Sequence, residues 1–197
     1  SISAPFKNPP IENNADTAPE YIFLDITNHW AKASIEGLYK RGLVKGIENE
    51  FFYPDKSVTR AEFAQMISNI TGGGNDDSVY FTDVYEGDWY FKAVRNAASC
   101  GIMIGNERKF NPNEEITREE IAAAAYKLFK YLNCSSEIGE AAEFADKSDI
   151  SPWAAEFVNS CSSIRLMSGM ENNCFMPKKS ATRAEAAIII CRILNCN

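Results

Sequence analysis

Histidine is all but missing from this chain of 197 residues, where His29 stands alone. None of the six cysteines forms a Cys-x-x-Cys pair, so no zinc spacing is present and no metal site is expected. Six are also too few for a fold built on disulfides; an even number permits up to three bridges without requiring any. Positive charge is in deficit, with 20 Lys and Arg against 27 Asp and Glu, a net charge of −7. That excludes nucleic acid as the main partner, because phosphate recognition needs a basic surface or a dense basic stripe. Long apolar runs are lacking too. The longest purely apolar stretch, Ala186 to Cys191, is far too short to cross a bilayer, so no membrane insertion is expected. There is no glycine-rich phosphate loop, no calcium loop of spaced aspartates, and no nucleophile or paired acid at a catalytic spacing. The expectation is a protein that is not an enzyme and needs no cofactor. The chain opens on Ser1 and reads as a processed or excised piece, so its ends carry no information about export.

What is present is an ordinary globular composition, 45% apolar and 12% aromatic, arranged as a repeat. Trp30, Trp89 and Trp153 lie 59 and 64 residues apart. Upstream of each stands Phe-x-Asp, at Phe23 and Asp25, Phe81 and Asp83, Phe144 and Asp146. Downstream come Gly46, Gly105 and Gly169, then an aromatic-x-Pro ending at Pro54, Pro112 and Pro177. Thr-Arg-x-Glu follows at Thr59 to Glu62, Thr117 to Glu120 and Thr182 to Glu185. Five features in one order, three times, define three copies of one unit. Residues 1–21 read as an N-terminal linker, with copies at 22–73, 79–133 and 143–196. Gly72 to Asp77 forms a loose joint after the first copy.

Each copy reads as two helices around a loop, giving an all-α fold. In the first helix, Ala31, Ile35 and Leu38 share one face, as do Tyr90, Val94 and Ala97, and Ala154, Val158 and Cys161. The second helix carries Phe63, Met66, Ile67 and Ile70; Ile121, Ala124, Ala125 and Leu128; and Ala186, Ile189, Ile190 and Ile193. A unit of about 50 residues cannot bury such stripes alone, so the copies are expected to share one core.

Thr-Arg-x-Glu ahead of an apolar run is a capping box, giving Thr59, Glu62, Thr117, Glu120, Thr182 and Glu185 structural roles. It gives no reason for Arg60, Arg118 and Arg183, because a cation in the first turn opposes the helix dipole. Two explanations stay open. A neighbouring carboxylate holds the Arg, or the Arg joins the free N–H groups of the helix start in an anion site.

The order Phe-x-Asp, His-Trp-Ala (His29 to Ala31), Gly42 to Gly46, Phe-x-Pro and Thr-Arg-Ala-Glu resembles the S-layer homology domain, over about residues 22 to 196. The resemblance implies three tandem repeats in a pseudo-threefold, three-pronged spindle around a central three-helix bundle, with ligand grooves between the prongs. It implies a secreted module at the bacterial cell surface, cell wall or S-layer. Its partner would be an anionic secondary cell wall polysaccharide, often carrying a pyruvate ketal on N-acetylmannosamine, and its cargo domain would lie outside this chain. Carried onto this sequence, Arg60, Arg118 and Arg183 would clasp the ligand carboxylate, and Gly46, Gly105 and Gly169 would let backbone approach sugar or simply turn tightly. Trp30, Trp89 and Trp153 are candidates for sugar stacking, with a core role as the commoner alternative. Asp25, Asp83 and Asp146 read as turn or cap residues, and His29 as a helix-start or solvated residue. A protein-interaction or lattice scaffold, or a peptidoglycan-binding module, is the rival reading.

The pattern also breaks. Glu119 puts a negative charge beside Arg118 and is expected to weaken an anion there. Arg165 stands where copies one and two have Gly42 and Gly101, and the family's Asp-Gly turn is missing at Glu48-Asn49-Glu50, Asn106-Glu107-Arg108 and Glu171-Asn172-Asn173. The grooves are therefore expected to differ, with the one containing Arg60 the most competent. Cys161 falls on a buried stripe and Cys191 off one; most cysteines are expected to be thiols, with a Cys134 to Cys196 bridge left open.

Overall fold

The computed structural model describes residues 22–48, 50–73 and 79–194. The linker at 1–21, Asn49, the part of the joint from Gly74 to Asp77, and Cys196 with its bridge to Cys134 lie outside the described residues. Among the described residues there are six α-helices: α1 (Lys32–Lys40), α2 (Arg60–Thr71), α3 (Phe91–Ser99), α4 (Arg118–Tyr131), α5 (Ala155–Ser163) and α6 (Arg183–Ile193). Among the described residues extended pairing is limited to isolated bridges, so the fold is all-α as expected.

The second helix of every copy starts at its capping box. Thr59, Thr117 and Thr182 accept from the backbone N–H of Glu62, Glu120 and Glu185, whose carboxylates accept from the threonine N–H in return. These caps fix where α2, α4 and α6 begin, worth about 1 kcal/mol each.

The stripes are buried as expected, except that Ile70 is only partly covered. Their partners are not the helices of their own copy. α2 packs on α3, α4 on α5 and α6 on α1, so each second helix covers the first helix of the following copy and the last closes onto the first; α4 also packs on α6. Cys191, off the expected stripe, is buried because α6 is enclosed on more than one side.

Backbone bonds repeat this cyclic order just ahead of the caps. Val58 N–H donates to Ala181 C=O (3.0 Å), Ala181 to Ile116 (2.9 Å), and Ile116 to Val58 (3.0 Å). The first amides of each second helix donate across the same junctions: Arg60 and Ala61 to Glu114 and Pro112, Arg118 and Glu119 to Lys179 and Pro177, Arg183 and Ala184 to Lys56 and Pro54.

Within a copy, Asp25, Asp83 and Asp146 do more than cap a turn. Each carboxylate accepts two consecutive amides about 28 residues downstream: Phe52 and Tyr53, Phe110 and Asn111, Phe175 and Met176. The clamp ties the entry segment to the aromatic-x-Pro loop. Arg165 adopts the left-handed conformation of Gly42 and Gly101 (φ 59° against 69° for both), a strained state for a residue with a Cβ.

Candidate functional site

The three arginines are buried at the junctions between copies, and a carboxylate of the next copy faces each. Arg60 donates from Nε to the Phe110 carbonyl (2.8 Å), from Nη1 to Glu120 (2.7 Å) and from Nη2 to the Ile104 carbonyl (3.2 Å). Arg118 repeats this with Phe175 (2.8 Å), Glu185 (2.9 Å) and Ser168 (3.1 Å). Arg183 reaches the carbonyls of Phe52 and Lys45 (both 2.9 Å), with Glu62 farther off at 3.8 Å. Each guanidinium also lies 4.5–5.0 Å from the centroid of the phenylalanine ring whose carbonyl it binds.

Of the two explanations left open, the neighbouring carboxylate therefore accounts for the arginines' place. The free N–H groups invoked for an anion site at the helix starts are taken by the junction carbonyls, which corrects that expectation. The helix dipole is no obstacle either, since each side chain leads away from its own helix start to the capping Glu of another. Burial pushes the pKa of Arg118 and Arg183 down, while Glu185 and Glu62 hold them up.

Beside these ion pairs the junctions open into clefts. The cleft beside Arg60 has a volume of about 710 Å³. Copy one supplies Arg60, copy two the loop at Gly105 together with Glu120 and Lys127, and copy three Trp153 and Phe157. The cleft beside Arg118 has the same composition one copy on: Gly169, Glu185 and Arg192 from copy three, and Trp30 from copy one. It is smaller, about 150 Å³.

Lys127 and Arg192 escaped the sequence reading. Both stand ten residues after the capping Thr, on the polar edge of the second-helix stripe, and that shared offset was the available signal. The same position in copy one is Asn69, whose amide donates to the Leu43 carbonyl (3.0 Å). Arg192 donates to the Leu166 carbonyl (2.9 Å), and Lys127 Nζ lies 5.5 Å from the centre of the Phe157 ring. The Arg60 cleft holds Arg60, Lys109 and Lys127 against Glu114 and Glu120, a local excess of positive charge on a protein of net charge −7.

The cleft beside Arg60 is thus assembled from three copies, over an Arg–Glu contact that joins two of them. The S-layer homology domain model matches residues 22–64, 80–122 and 143–187. The chain belongs to that family. It is 41% identical over 175 residues to an amylopullulanase of Thermoanaerobacterium thermosulfurigenes, covering 87% of this chain and 9% of that protein. It is 40% identical over 177 residues to exoglucanase XynX of Acetivibrio thermocellus, covering 87% of this chain and 16% of the relative. A cellulosome-anchoring protein of Acetivibrio thermocellus matches at 27% over 157 residues, 77% of this chain and 35% of its own length. The chain thus spans less than a fifth of the first two relatives. Family membership makes it a non-catalytic, cell-wall anchoring module of the cell surface.

In this S-layer homology module the tryptophans are not core. Trp30, Trp89 and Trp153 are 65%, 63% and 54% exposed, because the apolar contacts of the first helix begin one residue later at Ala31, Tyr90 and Ala154. Gly46 and Gly105 are required by packing inside the copy, and Gly169 sits in a tight but less restrictive place. A Cβ at Gly46 would meet Phe23 Cε1 and the Phe51 carbonyl at 2.7 Å, one at Gly105 would clash with the Lys109 carbonyl and Phe81, and one at Gly169 would meet Phe144 at 3.2 Å. His29 is a helix-start residue whose Nδ1 accepts from Ala31 N–H (3.1 Å) while Nε2 pairs with Asp55 (3.2 Å). Glu119 does not burden Arg118 as expected: it is buried, and its carboxylate is bound by Lys178 and Ser151 of copy three.

Proposed function

We propose that this module holds its parent protein to the envelope by binding an anionic, pyruvylated secondary cell wall polysaccharide in the clefts between copies, chiefly the one beside Arg60. The observation that carries the reading is the convergence there of Arg60, Lys127 and an exposed Trp153 from three different copies. A guanidinium has five N–H donors, and Arg60 spends three on the protein. The other two, with the Lys127 ammonium, would take the carboxylate of a pyruvate ketal, while Trp153 would stack on the sugar ring. Gly105 would let the ligand approach the loop backbone. Arg118, Gly169, Arg192 and Trp30 would form a second, narrower site. Around Arg183, Gly46 and Trp89 the extra cation is replaced by Asn69, so that junction would bind least. Two engaged clefts on one polymer would add avidity through effective concentration.

The test is calorimetry with wall polysaccharide before and after chemical removal of its ketal. Lys127→Ala, which spares the Arg60–Glu120 pair, is expected to weaken binding by about 1.5–3 kcal/mol with an unchanged helical spectrum. Equal binding of the ketal-free polymer would overturn the anionic reading. Binding of peptidoglycan instead, or self-association without glycan in sedimentation, would replace it with one of the rival readings.

A further inference from the structure

Glu119 is a buried carboxylate for which the clefts above have no direct use, and its counterparts in the other copies are Ala61 and Ala184, both fully buried. It sits second in α4, beside Arg118, yet its carboxylate turns the other way, across the junction into copy three. Oε2 accepts from the Ser151 backbone N–H (3.0 Å), and Oε1 accepts from the Ser151 hydroxyl (2.9 Å) and from Lys178 Nζ. Ser151 is the anchor of a tight turn, its carbonyl accepting from Ala154 N–H (2.8 Å) and Ala155 N–H (3.2 Å). Trp153 rides in the middle of that turn and forms one wall of the Arg60 cleft.

The corresponding turns of the other copies are held from within. His29 and Asp55 brace the turn at Trp30, and Asp88 accepts from Tyr85 N–H (2.8 Å) ahead of Trp89. The turn at Trp153 has Pro152 where these have His29 and Asp88, so the side chain available for such a local bond is missing. Glu119 supplies the bond from another copy.

We infer that Glu119 is a positioning residue: it holds the Trp153 turn in the orientation that completes the Arg60 cleft, through charge-assisted bonds that fix the backbone and hydroxyl of Ser151. One helix start thus serves two clefts, lending Arg118 to one and setting the aromatic wall of the other. The consequence for glycan binding rests on the function proposed above; the placement of Trp153 does not.

The variant Glu119→Ala installs the residue that copies one and three already carry, so a folded protein is expected. In a Trp30→Phe, Trp89→Phe background, Trp153 is the sole tryptophan. Its quenching by acrylamide is expected to rise about two-fold in Glu119→Ala, and to return towards the parent value in Glu119→Gln, which keeps an acceptor for Ser151. In the native-tryptophan background, affinity for an oligosaccharide ending in pyruvate-ketal N-acetylmannosamine is expected to fall about five-fold in Glu119→Ala and to recover in Glu119→Gln. A lowered melting temperature with unchanged quenching and affinity would make Glu119 a structural residue only and overturn the inference. Raised quenching in a protein whose parent does not bind the oligosaccharide would uphold the positioning role and sink the proposed function.

Discussion

The junction arginines show how far single residues can be read from sequence. Their oddness at a helix start was legible; the partner was not, because Arg60, Arg118 and Arg183 reach residues about 50 to 140 positions away. A buried ion pair stripped of one member leaves an uncompensated charge, which costs about 3–5 kcal/mol. Glu185→Ala, leaving Arg118 buried and unpaired, is accordingly expected to lose that much in urea unfolding. Glu62→Ala is expected to lose less, since Arg183 stands 3.8 Å from Glu62 and rests mainly on carbonyls. Arg165 invites the opposite change. Its left-handed φ of 59° is natural for glycine, so Arg165→Gly is expected to gain up to about 1 kcal/mol, the relief of strain being partly offset by a more disordered unfolded chain. Cys161 adds a pH dependence. Burial pushes its thiol up to about 12, and the sulfur donates to the Ala122 carbonyl (3.2 Å). Above the ordinary thiol pKa the unfolded state releases this proton while the folded state retains it. Stability from this group is therefore intact below about pH 9 and falls by about 1.4 kcal/mol per unit towards pH 12. Cys161→Ala should remove that slope from urea unfolding curves collected across the range, and native Cys161 should resist alkylation.

Elements were the most legible level. Capping boxes and apolar stripes are local, set by hydrogen bonds three residues apart and by helical spacing, so sequence alone located the starts of α2, α4 and α6 and their buried faces. What covers those faces was not local: the stripe of α2 meets α3, not α1. The tryptophans, for which a core role was the commoner expectation, are exposed because the buried face of each first helix begins one residue later, at Ala31, Tyr90 and Ala154. The capping Glu here works twice, one oxygen on its own helix and the other on the arginine of the preceding copy. Thr117→Ala is expected to cost about 1 kcal/mol by thermal melting. Glu120→Ala should cost clearly more, because it removes the cap and abandons Arg60 together; equal costs for the two variants would mean that the Arg60 contact contributes nothing.

For the molecule as a whole, closure is the property that distinguishes this repeat from an open stack. In an open array a terminal copy can be removed while its neighbours keep most of their contacts, and stability declines stepwise. Here each copy exchanges backbone bonds with both neighbours, and α6 returns to cover α1. Removing copy three (residues 143–197) would bare the face of α1 against α6 and of α4 against α5. It would also leave Arg118 without Glu185, Glu62 without Arg183, and Val58 N–H without the Ala181 carbonyl. Losses on both flanks of the gap exceed what a domain of this size holds in reserve, typically about 5–15 kcal/mol. The truncated chain, residues 1–142, is therefore expected to show no cooperative thermal transition by circular dichroism, and the full chain is expected to melt in one step. A cooperative melt of the two-copy chain would mean that the junctions act independently. In that case each cleft would be a property of its own pair of copies, and the cyclic order of contacts would contribute little to holding Arg60, Lys127 and Trp153 together.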